Sequence, residues 1–336
     1  MYPISRHRYV PAWWLPGPHV RTLWPRFVRR RSAPALTAIR YETPDGDFLD
    51  TWRIDAPTGA PRLLLLHGLE GGIRSHYARG MLGEAHRRGW GADLLIFRSC
   101  GTELNRVPRF YHSGETTDLA FVLDRLVAEF PDSRVFLAGV SLGGNVLLKF
   151  LGERGAAVPA AVGGALAVSV PYDLARSSRH INRGFSRVYQ AYFLRSLLTK
   201  AAAKARAFPS HVPGVRASTL YDFDDAITAP LHGFRDADDY YARSSAIRWI
   251  GSIRIPTLLL SAEDDPFLPR DVLDAVRRIA STNPSLEVEF VRRGGHVGFV
   301  SGRLPWRSTY YAEHRMGEYF AELMRSWRPA GAGRSP

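Results

Sequence analysis

A strand-like apolar run, Val135-Phe-Leu-Ala-Gly139-Val, passes through Ser141-Leu-Gly143-Gly144-Asn145 into the helix-compatible Val-Leu-Leu-Lys-Phe150. The G-x-S-x-G pattern recurs by accident when it stands alone, but flanked by a strand and a helix it describes a nucleophile elbow. A serine hydroxyl is a weak nucleophile and must sit on a sharp turn where a base can take its proton. Gly139 and Gly143 leave room for that turn and for close packing around it.

The surrounding pattern sets the fold class. Two alternating segments between Ile39 and Ile54 flank Pro44-Asp45-Gly46, the signature of a β-hairpin. Strand and helix patterns then alternate: Arg62 to Leu66, Ala78 to Arg88, Ala92 to Phe97, Thr117 to Phe130, Val135 to Gly139, Val146 to Gly152 and Ala161 to Val170. Alternation stops at Pro171 and resumes at Pro256 to Ser261, followed by Val272 to Ala280, Leu286 to Val291 and a closing helix around Tyr310 to Trp327. This predicts an α/β fold with a mostly parallel central sheet and helices on both faces. The core spans 36–170 and 252–328. Residues 171–251, with Phe185, Val188, Tyr189, Tyr192, Phe193 and Leu197 near helical spacing, form a helical cap insertion over the strand ends. Residues 1–35, rich in Pro, Trp and Arg, read as an irregular arm packed on the core, and 329–336 as a flexible tail.

An elbow serine needs a base and an orienting carboxylate, downstream in the order Ser, Asp, His. Asp264-Asp265 directly follows the strand ending at Ser261, and His296 follows the strand ending at Val291. Both loops leave strand C-terminal ends, where the crevice of such a sheet lies. Ser141, Asp265 and His296 are the candidate catalytic residues. Asp264 remains the alternative acid; Asp265 is preferred because Asp264 suits an Asx-type turn. The oxyanion requires backbone donors: Leu142 N–H follows the nucleophile, and Leu69 N–H lies in the glycine-rich His67-Gly-Leu-Glu-Gly-Gly72 turn. His67 reads as structural, and Glu70 has no assigned role.

Composition limits the alternatives. The formal charge of +13 comes with only three lysines, Lys149, Lys200 and Lys204, among 45 basic residues, and the arginines are scattered. With no nucleic-acid motif accompanying that charge, no nucleic-acid partner is expected. A single cysteine, Cys100, excludes an intrachain disulfide and a cysteine-based zinc site, and reads as a lone buried thiol. The N-terminus carries no secretory pattern and no run is long enough to span a membrane, so the expectation is a cytoplasmic protein.

The longer words carry a resemblance. His67-Gly-Leu-Glu-Gly-Gly with Ser75-His-Tyr-Ala-Arg79-Gly, Phe97-Arg-Ser-Cys-Gly101, Tyr111-His-Ser-Gly-Glu-Thr, Gly139-Val-Ser-Leu-Gly-Gly-Asn-Val-Leu-Leu-Lys149, Asp264-Asp-Pro-Phe and Gly-Gly-His296-Val-Gly-Phe together resemble the YheT-like branch of the α/β-hydrolases. Trp13-Trp14-Leu, and Gly233-Phe with Asp239-Tyr-Tyr in the insertion, extend the match over nearly the whole chain. Ser99 stands where that branch is expected to have glycine. The resemblance implies a serine esterase or lipase-like hydrolase, eukaryotic relatives acting on phospholipids or making medium-chain ethyl esters. The expected substrate is a short- to medium-chain or lipid-like ester, cleaved through an acyl-serine without a metal or organic cofactor. An acyltransferase using an alcohol acceptor, or a non-catalytic binding protein of the same fold, are the alternatives. The aromatic, basic insertion leaves room for transient contact with a membrane surface, and the sequence is silent on oligomeric state.

Overall fold

The computed structural model describes residues 9–29 and 34–326. The expected flexible tail, 329–336, lies outside them, as do residues 1–8 and 30–33 of the arm. The elements in chain order are α1 (Gly17–Val28), β1 (Thr37–Glu42), β2 (Phe48–Ile54), β3 (Arg62–Leu66), α2 (His76–Arg87), β4 (Gly91–Ile96), α3 (Thr117–Glu129), β5 (Val135–Val140), α4 (Leu142–Arg154) and β6 (Val162–Val168). There follow α5 (Leu174–Ile181), α6 (Ser186–Ala207), α7 (Leu220–Phe223), α8 (Ala229–Leu231), α9 (Ala237–Ser244), β7 (Thr257–Ala262), α10 (Arg270–Ala280), β8 (Leu286–Val291), β9 (Val300–Ser301), β10 (Thr309–Tyr310) and α11 (Tyr311–Ser326).

Eight strands form one sheet in the order β1-β2-β4-β3-β5-β6-β7-β8. The β1–β2 hairpin and the β2–β4 pair are antiparallel, and every pairing from β4 onward is parallel. Parallel strands joined by helices are covered on both faces, so they read as continuous apolar runs. Every residue of β3, Arg62 to Leu66, is accordingly buried. Its leucines alternate between two cores: Leu64 and Leu66 pack with α3 and α4, Leu63 and Leu65 with α2 and α11. Helix α4 is buried from Leu142 to Gly152, which explains why its sequence is apolar on every side.

The insertion between β6 and β7 is helical, with α5 to α9 and a π-helical turn at Asp224–Thr228. Buried Asn145 of α4 ties it down. Its amide donates to Ser113 O and Ser244 O, both at 2.8 Å, and its carbonyl accepts from Ala246 N at 2.9 Å.

The expectation of an irregular arm is corrected: residues 17–28 are a helix. Its prolines had suggested otherwise, but Pro18 lies in the first turn, where the missing N–H has no intrahelical acceptor to lose. Pro25 lies inside the helix and leaves the Arg21 carbonyl without its usual donor. The segment before α1 packs on the small β9–β10 sheet: Ala12 and Leu15 are buried against Val300 and Tyr310, and Ala12 N donates to Val300 O at 2.9 Å.

Candidate active site

Ser141 stands between β5 and α4 at φ +54° and ψ −120°, a sparsely populated region for a residue with a Cβ. The neighbouring glycines make the turn sterically feasible. A Cβ on Gly139 would lie 2.5 Å from Gly143 O, and one on Gly143 2.4 Å from His67 O. The Ser141 amide is held by Val168 O at 2.8 Å, so the end of β6 fixes the elbow.

The structure brings Ser141, His296 and Asp265 into one chain of hydrogen bonds. His296 Nε2 is 3.0 Å from Ser141 Oγ, and His296 Nδ1 is 2.8 Å from Asp265 Oδ2. The second Asp265 oxygen accepts from Phe267 N at 2.8 Å, which fixes the carboxylate plane, and the Phe267 ring stacks on the imidazole at 4.1 Å. Asp264 points elsewhere. Its Oδ1 accepts from Gly294 N (2.7 Å) and Gly295 N (2.9 Å), and its Oδ2 meets Arg21 Nη1 at 3.1 Å. Asp264 thus shapes the loop that carries the histidine, whereas Asp265 touches the imidazole.

Helix α1 also holds that loop. Thr22 Oγ1 accepts from His296 N at 2.9 Å, and added Cβ atoms on Gly295 and Gly298 would meet Pro18 O at 2.7 Å and Arg21 O at 2.4 Å. Ser169, after β6, accepts from Val297 N at 3.1 Å. These contributions were missed in the sequence because Thr22 and Arg21 lie in a segment whose prolines conceal its helix.

Leu142 N–H opens α4, where a first-turn amide has no intrahelical acceptor. Leu69 N–H lies in the turn after β3, beside the elbow: a Cβ on Gly68 would come within 3.2 Å of Ser141 Cβ. His67 supports this turn. Fully buried, it accepts from Phe97 N at Nε2 (3.1 Å), leaving Nδ1 to donate to Gly68 O (2.7 Å). Burial keeps it neutral, its pKa pushed down to about 4.

Glu70, which the sequence left without a role, proves central. It sits at φ +54° with its amide donating to Tyr111 Oη at 2.9 Å, while the same hydroxyl donates to Glu70 Oε1 at 2.8 Å. Helix α6 completes the cluster: Lys200 Nζ is 2.8 Å from Glu70 Oε1 and 3.3 Å from Cys100 Sγ, and Ser196 Oγ donates to Glu70 Oε2. An acid in a glycine-rich turn followed far downstream by a lysine carries no spacing signal. Cys100 is half-buried in the cavity wall, not fully buried, and burial pushes its thiol up to about 11, against the attraction of Lys200.

The groups surround a cavity of about 1350 Å³, with Ser141 and His296 on its floor and Leu69, Phe193, Leu197, Phe223 and Phe267 among its apolar walls. Among the described residues, no helix is long and apolar enough to cross a membrane.

Residues 61–302 match the family described by the α/β-hydrolase fold, and the chain belongs to it. Within that family it is a YheT-like member. It is 40% identical over 308 residues to YheT of Escherichia coli K12, named as a candidate esterase, with 89% of each chain covered. The mouse phospholipase ABHD3 is 29% identical, covering 96% of this chain and 80% of its own. A monoacylglycerol lipase of Saccharomyces cerevisiae is 29% identical over 79% of this chain and 60% of its own. In fold, the esterase Pf2001 of Pyrococcus furiosus superposes with a TM-score of 0.57 at 16% identity, covering 89% of this chain and 98% of that one.

Proposed function

We propose that the protein hydrolyses carboxylic esters with an apolar acyl part, through an acyl-serine on Ser141. The observation that carries this reading is the bond sequence Ser141 Oγ, His296, Asp265 at 3.0 and 2.8 Å, opening on an apolar cavity. Relatives named as an esterase, a lipase and a phospholipase support the ester class.

In this mechanism His296 Nε2 takes the Ser141 proton as Oγ attacks the substrate carbonyl carbon. Asp265 holds Nδ1–H and stabilises the imidazolium that forms. The carbonyl oxygen gains the negative charge and is held by the Leu69 and Leu142 amides, fixed by the turn and by α4 before the substrate arrives. Collapse breaks the bond to the alcohol, which leaves with the proton from His296. Water then attacks the acyl-serine, gives its proton to His296, and the acid departs as Ser141 recovers its hydrogen. Residues 171–251 act as a cap that supplies the walls of the acyl site, mainly from α6.

The test is turnover of p-nitrophenyl esters from acetate to palmitate, with fluorophosphonate labelling, by the wild-type protein and by Ser141→Ala. Activity and labelling lost together in a folded Ser141→Ala protein is the expected result, and the chain-length optimum sizes the acyl site. A folded wild-type protein that neither turns over nor labels would refute the acyl-serine.

A further inference from the structure

At the mouth of the cavity, α1 and α6 lie side by side. The His19 ring lies tilted against Phe185, with ring centroids 4.7 Å apart, and Arg26 Nη2 donates to Tyr192 Oη at 2.7 Å. Both helices turn large apolar side chains to solvent there: Phe27 is 73% exposed, Phe185 51%, Val188 56% and Tyr192 51%. All four line the cavity that ends at Ser141, so the patch is its rim. A soluble surface does not ordinarily gather such side chains in one place.

The charge on these two helices has one sign. Neither α1 nor α6 contains Asp or Glu. Arg187 and Arg195 are exposed on α6 beside Val188 and Tyr192, and Arg183 is exposed just before it. Among the described residues no carboxylate pairs with these three arginines. A surface with apolar side chains for the acyl region and unpaired cations for phosphates matches an interfacial membrane-binding face. A second copy of the chain is the poorer occupant, because two such faces would bring arginines against arginines in a protein of formal charge +13.

We propose that the α1–α6 rim docks on an anionic lipid bilayer, with Phe27, Phe185, Val188 and Tyr192 entering the interface and Arg187 and Arg195 meeting lipid phosphates. Docking does not depend on the ester reading. Its functional benefit does, since a lipid-like substrate would pass from the bilayer along the rim to Ser141 without crossing water.

The experiment is flotation of the full chain with vesicles of phosphatidylcholine alone and of phosphatidylcholine with an equal part of phosphatidylglycerol. Wild type is compared with Phe27→Ser/Val188→Ser and Arg187→Gln/Arg195→Gln, whose fold is checked by cooperative thermal unfolding. Wild type should float with the anionic vesicles and bind neutral ones at least about tenfold more weakly. The arginine pair should weaken anionic binding about fivefold per residue removed, and the apolar pair at least about tenfold. No flotation of wild type, equal binding to both vesicles, or binding unchanged in both variants would overturn the proposal. So would a dimer in sedimentation velocity that Phe27→Ser/Val188→Ser converts to monomer while vesicle binding persists. Because flotation needs no turnover, failure of docking and failure of the esterase reading remain separable.

Discussion

Two adjacent carboxylates with different partners make opposite demands on their substitutions. Asp265 touches His296 Nδ1, so Asp265→Asn should favour the wrong tautomer and lower kcat by about 10⁴ with little change in KM. Asp264 accepts two backbone amides at one oxygen, which the amide oxygen of Asn can still do, so Asp264→Asn should keep most activity while losing stability through the unpaired, buried Arg21. Asp264→Ala leaves both amides without an acceptor and should cost about 2 kcal/mol in urea unfolding together with a clear fall in kcat. Ser99 offers a prediction of the other sign. It holds φ +62°, and its buried hydroxyl finds no partner, which is the physical reason glycine is expected there. Ser99→Gly should therefore stabilise the protein by about 1 kcal/mol, read from the denaturation midpoint. The serine, the histidine and the glycines around them could be read from spacing because the elbow imposes a local pattern. The division of labour between Asp264 and Asp265 was legible only as a preference for Asp265, since the partners of Asp264, Gly294, Gly295 and Arg21, arrive from distant segments.

The alternating strands and helices were readable because each parallel strand is a short apolar run buried on both faces. Helix α1 was not, because its prolines occupy positions where a helix tolerates them or is compensated by packing against the Gly295–Gly298 loop. Helix α6 was recognisable as helical, yet its function as a brace was invisible in one dimension. Two of the three lysines in the chain lie on it and both reach into the core loops: Lys200 to Glu70, and Lys204 to Asn105 O at 2.8 Å and to Val107 O. Glu70 is the part of this brace that lies in the turn after β3, and its side chain is only 3% exposed. Lys200→Met should leave that carboxylate buried without its cation and destabilise the protein by roughly 3 kcal/mol. Adding Glu70→Gln should restore most of the loss, and a double-mutant cycle by denaturant unfolding measures the coupling.

For the molecule as a whole, buried histidines set the response to acid. His67 and His112 each accept a backbone N–H, from Phe97 and Gly114, and burial drives both pKa values down, that of His67 to about 4. Unfolded, each titrates near 6.5, so between about pH 6.5 and 4 the unfolded chain binds more protons. Stability must fall as pH falls through that window, by about 1.4 kcal/mol per pH unit for each histidine. Asp224 opposes them. Burial in the cap raises its pKa to about 6, so its folded form holds a proton that the unfolded chain releases above about pH 4. His76, likewise pushed down to about 3 by burial, adds to His67 and His112, so three histidines outweigh the one aspartate: stability should fall with acid below pH 6, and Asp224→Asn should steepen the fall, as urea unfolding at pH 7, 6 and 5 would record. The arm has a bearing on biosynthesis. Thr22 and His296 are joined by a hydrogen bond across 274 positions of sequence. At roughly 5 to 20 residues per second, a ribosome releases the partner of Thr22 only after about 15 to 55 s. The His296 loop therefore reaches its anchor on α1 long after that helix has been made, and Ser141 is synthesised well before the imidazole that it meets in the fold.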